Sequence, residues 1–135
     1  MAITEIKEGA LVLARHIPAA DAWGKGLKFF SPDGDYQQVG TWGYGAGKTL
    51  LAHSHNEVAR SVAWTQEVLY IRAGRVLAEV YDTADQKVAE LEAGAGDLLV
   101  LLRGGHGYRI LEDGTQVLEI KNGPYVGADV DRRRL

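Results

Sequence analysis

The stretch AHSHNEVARSVAWTQE, residues 52–67, places two histidines one residue apart and then a glutamate twelve positions after the second, at the head of a strand-like run. Imidazole nitrogens and carboxylate oxygens are the donors that hold divalent first-row metals. Alternate residues of a strand point to one face, so a strand over residues 48–55 projects His53 and His55 together while Ser54 points away. Glu67 shares parity with Leu69 and Ile71, which puts a carboxylate on an apolar face. Such a group is costly there unless it is paired, hydrogen-bonded or ligating. His106 follows Arg103, Gly104 and Gly105 and shares parity with Tyr108 and Ile110. The ordinary alternative for each is a polar residue on a wet sheet face.

The rest of the chain must supply the elements that position these groups. With 135 residues the sequence reads as one domain, 1–135, long enough to bury a core without a staple. There are no cysteines, which excludes disulfides, thiolate metal sites and cysteine nucleophiles. A net charge of -3 offers nucleic acid no general attraction, and the only dense basic run, Arg132, Arg133 and Arg134, reads as a solvated tail. The first residues carry Glu5, Lys7, Glu8, Arg15 and His16 among apolar ones, so neither a signal-peptide core nor a spanning helix is expected. The sequence therefore reads as a cytoplasmic protein without membrane or nucleic-acid partners.

Seventeen glycines, three prolines and 46% hydrophobic residues point to short elements joined by tight turns. Alternation dominates after residue 39, with strand candidates at 39–44, 48–55, 65–71, 75–82, 96–102, 107–113 and 115–122. Segment 75–82 reads as the return arm of a hairpin from 65–71, and Asp113-Gly114 as a second hairpin turn. About seven strands in an antiparallel sandwich or barrel follow. Residues 3–17 fit either a strand pair or a helical turn, and residues 18–35 are mostly loop with one short strand near Leu27 and Phe30. Leu118 and Ile120 read as core-facing, and His16 as a surface residue.

GYGAGKT, residues 43–49, resembles a phosphate loop, yet the Walker pattern needs glycine where Trp42 stands, and the loop leads into a strand-like run. It reads as a glycine-rich turn. Ser31, Ser54 and Ser61 lack a nucleophile-elbow setting.

Gly47, five residues, His53-Ser54-His55, then Glu67, six residues and Gly74 resemble the first motif of the cupin superfamily; Gly96, Gly104 and His106 resemble the second. The resemblance spans residues 40–122. It implies an all-β, single-domain cupin-type β-barrel, a double-stranded β-helix or jelly roll, here with a short N-terminal arm. It also implies a divalent metal, iron, manganese, nickel or zinc, on His53, His55, Glu67 and His106. The sequence departs from the pattern in the eleven residues between His55 and Glu67, which make Glu57 a rival ligand, and in Leu102 and Ile110, where proline and asparagine are common. The inserted loop brings Arg60, Trp64 and Gln66 as candidate contacts for a small polar ligand; Glu57 in that loop and Tyr108, on the parity of His106, are candidate proton-transfer groups. Residues 104–125 resemble small bacterial cupins associated with surface polysaccharides. That resemblance implies a carbohydrate-type substrate and an isomerase- or epimerase-like reaction. An iron(II) dioxygenase and a non-catalytic binding module are the alternatives, and a homodimer is the expected assembly.

Overall fold

The computed structural model describes residues 2–135, and ten strands and two single-turn helices lie among them. The fold is all-β, built from antiparallel sheets that do not close into a barrel. No helix among the described residues is long and apolar enough to cross a membrane.

Residues 3–17 resolve to the strand pair. β1 (Thr4–Glu8) turns at Gly9, whose φ of +60° suits glycine, into β2 (Leu11–Ile17). A helical turn α1 (Ala19–Ala22) and a small hairpin, β3 (Gly26–Phe29) with β4 (Gly40–Gly43), follow. The chain then runs without strand or helix to β5 (Glu67–Ala73). Next come β6 (Arg75–Tyr81), β7 (Lys87–Gly94), β8 (Leu98–Leu101), β9 (Gly105–Ile110), β10 (Gln116–Lys121) and the turn α2 (Ala128–Asp131).

Five strands form one sheet in the order β1-β2-β8-β5-β10, and three form a second in the order β7-β6-β9. Between the sheets lies one apolar cluster, with Leu69, Ile71, Leu99 and Leu101 against Val76, Ala78, Val80 and Ala93. The larger sheet carries a second apolar layer on its outer face. There Ile17, Val68, Leu98 and Val100 pack under Ala22, Phe30 and Val39 of the α1–β4 excursion. Strand β8 is thus buried on both faces, which is why its sequence, LLVL, has no polar alternation.

Three expectations about connectivity are overturned. β5 and β6 do not form a hairpin: the chain turns at Gly74 (φ +82°) from one sheet into the other, and a Cβ at that glycine would overlap Thr115. Asp113-Gly114 likewise joins β9 and β10 of different sheets, so a turn of hairpin composition makes a corner. Residues 48–55 form no strand, since no sheet edge is hydrogen-bonded to them, and every residue from 44 to 64 is exposed.

Two side-chain orientations also differ. In the β5–β10 pairing Glu119 lies opposite Leu69 and Lys121 opposite Glu67, so these polar residues share the inner face. Leu118 and Ile120 lie opposite Tyr70 and Val68 on the outer face and are 54% and 51% exposed. The apolar parity of β10 serves the outer layer, which the α1–β4 excursion covers only over the central strands. His16 is buried, not a surface residue: its Nε2 stands 2.9 Å from Asp97 Oδ2.

Candidate functional site

A histidine from one sheet meets a carboxylate from the other at the open end of the cleft between them. His106 lies opposite Val80 on β9 and Tyr108 opposite Ala78, which puts both on the inner face of the small sheet. Glu67 opens β5 beside Leu101 and Lys121 on the inner face of the large sheet. His106 Nε2 and Glu67 Oε2 are 2.7 Å apart. Their side chains are 27% and 12% exposed, so the imidazole remains reachable from solvent while the carboxylate is largely enclosed.

The surroundings make the pair a small polar network. The Glu119 carboxyl neighbours that of Glu67 closely enough to shift it, and Lys121 Nζ lies 4.0 Å from Glu119 Oε2. The Tyr108 ring sits 5.2 Å from that of His106. Burial pushes the Glu67 carboxyl up, but hydrogen bonds from His106 and Glu119 and the charges of His106 and Lys121 outweigh it and hold it at about 2. Glu119 moves the other way, raised by its hydrogen bond to Glu67, by burial and by the Glu67 charge. Two carboxyl groups in contact cannot ionise equally, and the one in contact with the His106 ring, Glu67, takes the charge. Partial burial and the two glutamate charges raise the Tyr108 phenol, so it stays protonated and able to donate a hydrogen bond.

Of the residues singled out from sequence, the fold unites Glu67, His106 and Tyr108. It leaves the others elsewhere. His53 and His55 sit together, ring centroids 5.0 Å apart, in the exposed 44–64 segment, and the His53 ring nitrogen Nδ1 contacts Leu51 O at 3.2 Å. Glu57 and Arg60 are exposed in that same segment, and the Arg60 guanidinium donates only to Val58 O. Trp64 lies between Tyr36, at 5.2 Å, and the Arg103 guanidinium, at 4.0 Å. Gln66 is 5% exposed and fully used as a structural group: it accepts from Gln37 N and donates to Leu102 O. Both border a groove of about 350 Å³ that also touches Arg15, Asp35 and Leu11. That groove lies outside the cleft, because Gln66 alternates with Glu67 and follows the outer parity of Val68.

Donor chemistry at the cleft suits a divalent ion, but the four-donor arrangement does not fit. His106 and Glu67 stand adjacent, and among the described residues no group of three or more histidine, aspartate or glutamate side chains converges as a metal site. Glu119 and Lys121 are the site residues that sequence reasoning missed. The signal was present: a glutamate in an apolar strand carries the same desolvation cost that singled out Glu67. Leu118 and Ile120 mask it, because their apolar parity competes for the inner face. Comparison of the chain with protein-family models, curated proteins and solved structures finds no match.

Proposed function

We propose that the cleft takes a small polar molecule, of carbohydrate type first, and moves a proton on it, as an isomerase or epimerase does. The observation that carries this reading is the His106–Glu67 contact, made across the cleft with a second carboxyl and a phenol beside it. Glu67 remains ionised and fixes the imidazole. Glu119, whose pKa is raised, is in its ionised form the stronger base of the two carboxylates and takes the proton from a C–H beside a carbonyl. The electron pair moves onto the carbonyl oxygen, which Tyr108 and His106 meet with hydrogen bonds, and return of the proton to the opposite face or the neighbouring carbon completes the change. Tyr108 thus keeps the proton-transfer neighbourhood expected of it, whereas Glu119 replaces Glu57.

A cupin-type jelly roll belongs to the same reading, supported by facing sheets that carry His106 and Glu67 on their inner walls. Its divalent metal belongs to that reading too, although only two of its four donors, Glu67 and His106, stand together. The test is to incubate the protein in heavy water with aldoses, uronic acids and sugar nucleotides and to follow deuterium uptake at carbon by mass spectrometry. Uptake with at least one class, abolished by Glu119→Gln, is the expected result. No uptake from any class, or uptake unchanged in Glu119→Gln, overturns the proposal.

A further inference from the structure

The basic run expected to be a solvated tail is pinned across one end of the molecule. β5 begins at Glu67 and β10 ends at Lys121, while β6 ends at Tyr81 and β9 begins at Gly105. The His106–Glu67 contact puts these four strand ends at the same mouth of the cleft. Residues 131–135 pass from one sheet to the other over that mouth. On the large-sheet side Thr65 Oγ1, just ahead of Glu67, donates to Asp131 Oδ1 at 2.6 Å. On the small-sheet side the Arg133 guanidinium donates to both oxygens of Asp85, in the β6–β7 turn, at 3.1 and 2.9 Å. Leu135 then lies over Gly105, where a Cβ would come within 2.6 Å of its Cδ1.

The crossing is held mainly by polar contacts. Tyr125, Val126, Val130 and Leu135 are 73%, 59%, 77% and 57% exposed, so no apolar side chain of the segment anchors it in the core. A cavity of about 160 Å³ lies under its start, lined by Thr65, Lys121, Tyr125 and Asp131 among others. Gly127, at φ +96°, gives the segment a swivel that a residue with a side chain would resist. Segments with so little apolar burial are the ones that open locally. The Arg133–Asp85 pair is the most specific attachment, bidentate yet 73% and 38% exposed, so its strength is modest and falls with salt.

We infer that residues 127–135 form a gate over the mouth of the His106–Glu67 cleft, latched by Asp85 on Arg133 and released when that pair is broken. Closed, the gate narrows the entrance without sealing it, since the His106 side chain keeps 27% exposure. Ionic strength, or an anion that draws Arg133 off Asp85, shifts the balance towards the open form. That the gate serves a reaction rests on the proton-transfer reading above; that it covers the cleft does not.

Acylation of histidine by diethyl pyrocarbonate, followed residue by residue by mass spectrometry, reads the gate without a substrate and so separately from deuterium uptake. His53 and His55, exposed outside the cleft, are the internal reference. Asp85→Asn removes the charge but keeps a residue type that tolerates the φ of +64° at this position. It should raise the rate at His106 relative to the reference by about two- to fivefold, the range that an exposed ion pair supplies. Salt should raise the wild-type ratio towards that of the variant and leave the variant's unchanged. A second variant holds the gate shut: the chain has no native cysteines, and Gly105→Cys/Leu135→Cys joins the two contacting positions when oxidised. Its His106 ratio should fall on oxidation and recover on reduction. An unchanged ratio in Asp85→Asn, a ratio indifferent to oxidation, or no disulfide in the double variant overturns the gate.

Discussion

Two histidine–carboxylate pairs of similar length sit in this molecule and do different work. His16 Nε2 stands 2.9 Å from Asp97, and His106 Nε2 stands 2.7 Å from Glu67. Around Asp97 every further partner is backbone: Ala19 N donates to one oxygen and Gly94 N to the other. That carboxylate ties the start of α1 and the β7–β8 turn to β2, and its ring partner is 4% exposed. Around Glu67 the further partners are titratable side chains, Glu119 and Lys121, and the ring partner faces an open cleft. The pair itself does not mark a site. Surroundings that leave donors, acceptors and space uncommitted do.

The sharpest way to break the comparison is to remove one member of each pair. Asp97→Ala leaves a buried imidazole and two backbone N–H groups unpaired, and breaking a buried pair costs about 3 kcal/mol. Urea unfolding should show this as a large drop in midpoint, with any ligand response retained in the folded fraction. His106→Ala should cost about 1 kcal/mol in the same measurement, because its ring is partly solvated. A His106→Ala loss equal to that of Asp97→Ala would make the cleft pair another staple.

Acid sharpens the contrast. The Glu67 carboxyl is held at about 2 against its usual 4.5, so the stability it contributes is fully present above pH 4.5 and lost as pH falls towards 2. Asp97 is also lowered, against burial, by Gly94 N, His16 and Ala19 N, so its contribution begins to fall only near its own usual value of 3.8. Urea midpoints of wild type and Glu67→Gln should therefore converge as pH drops from 4.5, before the Asp97 contribution goes. Parallel curves through that interval would show that Glu67 is not held ionised by the cleft.

The smallest expected effect carries the opposite sign. Glu119 is raised, so its ionised form is disfavoured in the folded state and it opposes stability as pH rises above 4.5. Glu119→Gln should leave the midpoint at pH 7 unchanged or slightly higher. A clear loss of stability would make Glu119 a structural partner of Lys121 instead of a group held against its own charge.

Much of the fold is legible in the residues. Alternation and glycine punctuation announce an all-β chain, and the parity of Glu67 with Leu69 and Ile71, and of His106 with Tyr108, places both site groups on inner faces, as observed. The failures have one physical source. Period-two patterning says which residues share a face, but not which face is inner when both are apolar. In β10 the apolar parity of Leu118 and Ile120 belongs to the outer face and the polar parity of Glu119 and Lys121 to the inner one. Turn composition says that the chain reverses, but not whether the arms pair, so Gly74 and Asp113-Gly114 carry hairpin composition yet make corners between sheets. The Arg103–Trp64–Tyr36 stack and the burial of Gln66 depend on strands and loops far apart in sequence, and no local pattern carries them.

By itself the sequence determined the all-β class, the donor chemistry and the grouping of His53 with His55, because these depend on residue type and on spacings of one or two residues. Only the tertiary structure decided that His106 meets Glu67, that Glu119 joins them, that His16 belongs to a staple and that residues 48–55 are left unpaired. Those outcomes depend on which sheet each strand enters and which edge remains free, and that is settled by burial of two apolar layers at once, a condition on the whole chain.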